Sequence, residues 1–332
     1  FIMVMDTKEL IKEIPDLVLE KKLSFFFGSG TSVPGMPLMS EFTKGEKIEV
    51  NRLLWEIRIR NSCLIGDFKH ARGLNSYTID YLIPESLNSY INFVSTLVSL
   101  MNMSNSRQGH KVTNLFTTNY DLFIEQAANC LLDGHRKFIF NDGSQGYFSR
   151  ILDSANFDTT TAYKGRFDNY LNEIPVINIV KPHGSVNWKK VDDSIEITNY
   201  IISNSEVVNP DGNEPKNTLL QRHYYDMFRF FEYEMSLPES VLLVHGFSFG
   251  DDHVLKMFNR ALENTRLLII VIAYSDEAAE EIESKFGINR NVSFSQLNNL
   301  YIIKPSDLSK DSSLRLALPQ LTQLISGEKV EA

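Results

Sequence analysis

The sequence predicts an α/β fold: a Rossmann-like doubly wound parallel sheet with a helical insertion. Three observations predict it. Short β-rich apolar runs lack polar alternation, helical patterns separate them, and four of the runs end in clusters of small or polar residues. Strands buried on both faces lose the alternation of a half-exposed strand. Crossover helices between such strands leave their carboxyl ends on one edge, which is where open α/β sheets bind ligands. At 332 residues the chain is long for one domain, yet it accommodates a nucleotide-binding core with one sizeable insertion.

The elements follow in order. Asp6 to Glu20 carries Leu10, Ile11, Ile14, Leu17 and Val18 on one helical stripe. Leu23–Phe27 is the first strand, and it runs into the small residues Gly28-Ser29-Gly30-Thr31-Ser32-Val33. Gly28 and Gly30 admit positive φ and have no Cβ, so backbone N–H groups can approach an anion, with the hydroxyls of Ser29, Thr31 and Ser32 as further donors. The same turn also suits strand-to-loop geometry alone. Residues 37–110 break the rhythm: Ile48–Arg60 and Leu87–Leu100 are helix-like and no buried strand is convincing, so this stretch reads as a helical insertion.

Leu115–Thr118, Val176–Val180, Val241–His245, Leu267–Ala273 and Leu300–Ile303 supply the remaining strands, and Leu122–Leu132, Tyr224–Met235, Val254–Asn264 and Glu277–Phe286 the helices. Lys137–Glu173 and Ser203–Asn217 are rich in turn-forming residues and are expected as surface excursions. Pro305 ends the last strand. Ser306–Ile325 is expected to be largely helical, with Leu308, Leu314, Leu316 and Leu321 on its apolar side and a break at Pro319. The chain is thus one domain, with a core over 6–36 and 111–305, the insertion at 37–110, and a C-terminal helix and tail at 306–332.

Composition narrows the class. With 43% hydrophobic residues and 11% aromatics the chain is an ordinary globular protein rather than a disordered one. A net charge of −9 argues against broad adhesion to nucleic acid. Two cysteines, Cys63 and Cys130, supply neither a disulfide framework nor a four-cysteine zinc site, so the cytoplasm is the expected compartment. Phe1–Met5 is apolar but short and is followed by charged helix-like sequence, which fits neither a signal peptide nor a membrane span.

Three more strand ends repeat the polar pattern of the first: Thr117-Thr118-Asn119-Tyr120-Asp121, Lys181-Pro182-His183-Gly184-Ser185 and His245-Gly246-Phe247-Ser248. Asn119 and Asp121 also suit the cap of the following helix. His183, between Pro182 and Gly184 at a strand end, is the histidine placed for chemistry, whereas His245 reads as strand packing. Asp251-Asp252-His253 could hold a metal, but an acidic first turn of a helix explains the aspartates more simply. Trp188, Phe228, Phe230 and Phe231 read as core.

Together these motifs resemble the sirtuin superfamily, and specifically the bacterial sirtuin-like domains that destroy NAD+ in antiviral defence. Gly28-Ser29-Gly30-Thr31-Ser32 is similar to the family's Gly-Ala-Gly-x-Ser loop, Thr118-Asn119-Tyr120-Asp121 to its Gln-Asn-Ile-Asp motif, His183-Gly184 to its His-Gly pair, and Gly246-Phe247-Ser248 to its Gly-Thr-Ser loop. The resemblance implies that Gly28, Ser29, Gly30, Thr31, Ser32, Thr118, Gly246, Phe247 and Ser248 contact NAD+, with Tyr274 and Ser275 near the adenosine. It implies that Asn119 and Asp121 line the nicotinamide end and that His183 faces the ribose. Cleaving the nicotinamide bond builds positive charge on the ribose carbon, which an amide or carboxylate held dry beside it stabilises. A histidine near neutrality can take a proton from attacking water.

The sequence also departs from the family's deacylases. They carry a four-cysteine zinc module and a Pro-Asp-Phe-Arg stretch after the first loop, whereas Pro34–Phe42 reads Pro-Gly-Met-Pro-Leu-Met-Ser-Glu-Phe and holds Glu41 alone as an acid. Without the module that frames a peptide groove, water is the expected acceptor and no metal is expected. The leading expectation is an NAD+ glycohydrolase that releases nicotinamide and ADP-ribose, with Asn119, His183 and Asp121 catalytic. It is expected to be gated as a homo-oligomer or by a HerA-type ATPase or DNA translocase. Two alternatives stand: a silent binder of NAD+ or ADP-ribose, and a zinc-free deacylase or ADP-ribosyltransferase.

Overall fold

The computed structural model describes residues 6–44, 47–66, 73–103, 110–133, 137–163, 173–208, 222–290 and 297–331. The chain runs α1 (Thr7–Glu20), β1 (Lys22–Phe27), a short hairpin of β2 (Thr43–Lys44) and β3 (Lys47–Ile48), α2 (Val50–Leu64), α3 (Ile83–Met103), β4 (Val112–Thr117) and α4 (Phe123–Asp133). Then follow β5 (Ile139–Asn141), β6 (Ser144–Gln145), β7 (Ile151–Leu152), β8 (Thr161–Ala162), β9 (Glu173–Ile174), β10 (Val176–Val180), β11 (Trp188–Val191) and β12 (Ser194–Ile197). The last part holds α5 (Arg222–Ser236), β13 (Ser240–His245), α6 (Asp252–Ala261), β14 (Leu267–Ile272), α7 (Asp276–Arg290), β15 (Leu300–Ile303), α8 (Pro305–Leu308) and α9 (Leu318–Ser326). Seven strands form the central parallel sheet, in the order β15-β14-β13-β1-β4-β10-β5, so the predicted α/β Rossmann-like class is observed.

Two compact units share the chain. One comprises Phe1–Thr31, Thr96–Gly109 and Phe230–Ala332. Its strands β13 and β14 are buried at every position, which is why their sequences show no alternation. Phe26 of β1 is its aromatic centre, with ring centroids of Phe231, Phe247 and Phe258 at 5.6, 5.0 and 5.1 Å. Edge-to-face pairs at these distances add to the stabilisation from burial alone.

The other unit comprises Ser32–Ser95 and His110–Arg229. Here β10 pairs in parallel with β4 on one side and with β5 on the other. Asn114, Asn178 and Asn141 stand at one level across the three strands. The Asn141 amide donates to Asn178 at 2.8 Å, and the Asn178 amide donates to Asn114 at 2.8 Å. A second, antiparallel sheet has the order β11-β12-β7-β6. Between β6 and β7, Tyr147 and Phe148 are 89% and 94% exposed and meet edge to face at 4.8 Å.

Several expectations change. Lys137–Glu173 is more than a surface excursion, because Ile139–Asn141 joins the main sheet and Ser144–Leu152 contributes to the second sheet. These strands are too short for periodicity to register. Residues 164–172 and the stretch 209–217 lie outside the described residues, as do Phe1–Met5. Ser306–Ile325 is helical at its two ends only: α8 and α9 are separated by a turn-containing segment. Pro319 does not break a helix but stands in the first turn of α9, where its missing N–H costs nothing. Among the described residues, no helix is long and apolar enough to cross a membrane.

Candidate functional site

In the first unit the glycine turn packs directly on the turn after β13. Gly28 N–H donates to the His245 carbonyl at 3.0 Å, Gly30 N–H to the Gly246 carbonyl at 2.9 Å, and Thr31 N–H to the Gly28 carbonyl at 3.0 Å. A Cβ on Gly28 would lie 2.5 Å from the Gly246 oxygen, and one on Gly246, whose φ is +64°, 2.2 Å from the Thr31 nitrogen. Close packing of two turns is therefore what demands glycine here, since the N–H groups of Gly28, Gly30 and Thr31 are taken by protein carbonyls.

The Thr31 hydroxyl sits between His245 Nδ1 at 3.0 Å and the His245 carbonyl at 2.9 Å, while Nε2 of the same ring lies 3.1 Å from the Leu316 carbonyl. Burial lowers the His245 pKa to about 4, which keeps the ring neutral. Phe247 packs into the aromatic cluster around Phe26, and Ser29 and Ser248 are exposed. Tyr274 is exposed, and the Ser275 hydroxyl accepts the Ala278 N–H at 3.2 Å, capping α7. Asp251 likewise caps α6 through the N–H groups of His253 and Val254.

In the second unit a buried network is centred on Ser32. Its hydroxyl donates to Asp121 Oδ2 at 2.8 Å, so with its one proton committed it accepts from Tyr90 at 2.8 Å and from the Asn119 amide at 3.1 Å. Asn119 does not cap α4. Asp121 Oδ1 accepts the Phe123 N–H at 3.2 Å, and Asn61 of α2 accepts the Leu122 N–H at 2.8 Å. Burial raises the pKa of Asp121, opposed by Lys181 and by the Ser32 hydrogen bond. Burial, and then the Asp121 charge, also hold the Tyr90 hydroxyl protonated.

Register brings the histidine motif alongside. Phe116 of β4 pairs with Val180 of β10, so Asn119 and His183 each stand three residues beyond one aligned pair. Val186 N–H and the Ser185 hydroxyl donate to the Tyr120 carbonyl at 3.1 and 3.2 Å, tying the two strand-end segments together. His183 is 8% exposed and meets Phe228 edge to face at 5.8 Å. Gly184 closes the turn through its N–H to the Lys181 carbonyl at 3.0 Å with φ +84°, where a Cβ would strike the Glu206 carbonyl. Thr118 is half-buried directly before Asn119.

The structure thus joins Ser32, Asn119 and Asp121 by hydrogen bonds and sets the His183 turn on the neighbouring strand end. Gly28, Gly30, Thr31 and Gly246 form their own packed cluster in the first unit, where Ser29, Phe247, Ser248, Tyr274 and Ser275 also lie. Sequence reading missed Tyr90, Asn61, Lys181 and Glu125. Tyr90 sits at an apolar position of a helical stripe, and nothing in its spacing marks a buried hydroxyl. Lys181 did carry a signal, because a charge directly after five buried residues needs partners.

A buried amide, a carboxylate and a histidine at the carboxyl ends of adjacent parallel strands can orient water and stabilise a cationic centre. Residues 113–294 match the family model described as the SIR2-like domain. No curated protein matches the chain. The matched span covers more than half of the 332 residues and holds the Asn119, His183 and Gly246 motifs together with the strands that present them, and the chain belongs to the SIR2-like family.

Proposed function

We propose that this chain is an NAD+ glycohydrolase that cleaves NAD+ to nicotinamide and ADP-ribose. A SIR2-like domain implies NAD-related chemistry in general. The observation that carries the finer reading is the Ser32-centred network, which fixes Asn119 and Asp121 beside the strand end bearing His183. In this reading the carbon–nitrogen bond to nicotinamide breaks with its electron pair leaving on the base, and a water oxygen bonds to the ribose carbon. His183 takes the water's proton. Asn119, held by Ser32, orients that water, and the Asp121 carboxylate stabilises the charge that develops on the sugar. The turns at Gly28–Thr31 and Gly246–Ser248 are assigned to the phosphates and ribose through the exposed Ser29 and Ser248 rather than through the engaged N–H groups of Gly28, Gly30 and Thr31, and Tyr274 and Ser275 to the adenosine. The absence of a four-cysteine zinc module and of the Pro-Asp-Phe-Arg stretch favours water as acceptor over an acyl-lysine.

The reading extends to an NAD-depleting effector of antiphage defence, because turnover without restraint would drain a cell of NAD+. Gating is assigned to self-assembly or to a HerA-type ATPase. The test follows nicotinamide release from NAD+ by the purified chain, alone and with such an ATPase. The parent is expected to turn over, and Asn119→Ala and His183→Ala to lose about 100-fold or more. Equal rates in parent and both variants would remove the assignment.

A further inference from the structure

Lys181 is a charged side chain that is only 3% exposed, at the end of a strand whose five residues are all buried. A buried ammonium persists only where its three protons find acceptors. Here they do: Lys181 Nζ donates to the Asp121 backbone carbonyl, to Glu125 Oε1 at 2.7 Å and to the Ser185 hydroxyl at 3.1 Å. The three acceptors belong to three pieces of chain: the turn after β4, the first turn of α4 and the segment after His183. Ser185 in turn donates to the Tyr120 carbonyl, so the Lys181 ammonium and the Ser185 hydroxyl grip consecutive carbonyls of the Asn119–Asp121 turn.

We propose that Lys181 is a positioning residue of the reaction assigned above, whose ammonium locks the turn carrying Asn119 to the turn carrying His183. The proposal rests on that assignment for its kinetic consequence but not for its structural one. The lysine lies two residues before His183 on the same turn, and its main-chain carbonyl closes that turn by accepting the Gly184 N–H. The side chain and main chain of one residue therefore define both sides of the arrangement. The ammonium faces two carboxylates, Glu125, which it bonds, and Asp121, whose pKa it lowers against the effect of burial. One Glu125 oxygen receives Lys181 while the other is buried with no hydrogen-bond partner, so the orientation of Glu125 depends on the lysine. Neutralising Lys181 alone would leave the part-buried Glu125 and the buried Asp121 facing each other without their counter-charge, a change that destabilises proteins for reasons unrelated to positioning.

The discriminating protein is therefore the double variant Lys181→Met/Glu125→Gln, in which neither charge of the pair remains, compared with the parent and with Glu125→Gln. Two measurements are made: steady-state nicotinamide release, and amide hydrogen exchange. The double variant is expected to fold, with exchange over β14 as in the parent. Its amides at 119–123 and 183–187 should exchange faster in both segments together, and its kcat should fall about 100-fold while KM for NAD+ moves less than about threefold, as expected when reacting groups shift by an ångström. Glu125→Gln alone keeps the lysine's grip on the Asp121 carbonyl and on Ser185, and leaves the Asp121 carboxylate to balance the ammonium, so it should stay within about tenfold of the parent kcat.

Unchanged protection in the two segments overturns the lock. Faster exchange with an unchanged kcat overturns the positioning role. If the parent releases no nicotinamide, the hydrolase reading fails, and the exchange comparison still decides whether Lys181 holds the two turns together.

Discussion

Ser32 shows how one hydroxyl can organise a reactive group without being available to a ligand. It is fully buried, it spends its proton on Asp121, and it receives Tyr90 and Asn119. Removing it takes a hydrogen bond from a phenol, an amide and a carboxylate at once, whereas removing the Tyr90 hydroxyl leaves Ser32 still bonded to two partners. Ser32→Ala is therefore expected to cost about 1–3 kcal/mol of stability, with a loss of nicotinamide release well beyond that of Tyr90→Phe. Urea unfolding paired with rate measurements checks this, and an equal effect of the two substitutions would show that Ser32 is not the centre of the network. Tyr90 also explains why the helical insertion matters, since it brings α3 into contact with the residues assigned to chemistry.

At the scale of elements, the asparagine row across β4, β10 and β5 specifies how three strands align. Asn114 and Asn178 are buried and Asn141 partly so, and a slip of one residue would separate these amides from one another and leave their groups to find other partners. The Asn178 amide also donates to the Phe157 carbonyl at 3.0 Å, so the row anchors the segment crossing over it. Asn178→Ala is expected to lower stability by about 2–4 kcal/mol through the unsatisfied groups left behind, read as a lower urea midpoint. A change below 1 kcal/mol, within the range of an ordinary surface substitution, would mean the row is incidental.

The long elements were legible because burial imposes a period. β13 is apolar from Val241 to Val244 and β14 throughout, and α1 shows its stripe at Leu10, Ile14 and Val18. Ile139–Asn141 and the small second sheet were not legible, because strands of two to four residues present no period to read and their pairing is decided by partners far along the chain. The candidate residues were visible as polar interruptions at strand ends. What surrounds them was not, since Tyr90 and Asn61 sit in helices whose surface pattern is indifferent to one buried polar atom.

For the molecule as a whole, histidines held neutral by burial contribute to the response to acid. The unfolded chain takes up a proton at His245 near pH 6.5, and the folded chain only near pH 4. Between those values the unfolded state holds more protons, so stability is present above pH 6.5 and is lost as the pH falls toward 4. The difference is worth roughly 3 kcal/mol at the acid end of the window. His223, lowered to about 4 by burial and then by Lys190, contributes with the same sign, reduced because its ring is partly solvated. His245→Gln should therefore lose less of its urea midpoint between pH 7 and pH 4.5 than the parent, and an identical loss in both would remove His245 as the cause.

The two turns pressed together at Gly28 and Gly246 carry an implication for how this chain can vary over time. Because the volume a side chain would need at either position is already filled by the backbone of the other turn, neither can grow unless its counterpart retreats. Segments far apart along the polypeptide are thereby bound to drift as one, and a descendant that alters the first loop is expected to carry a compensating change in the second.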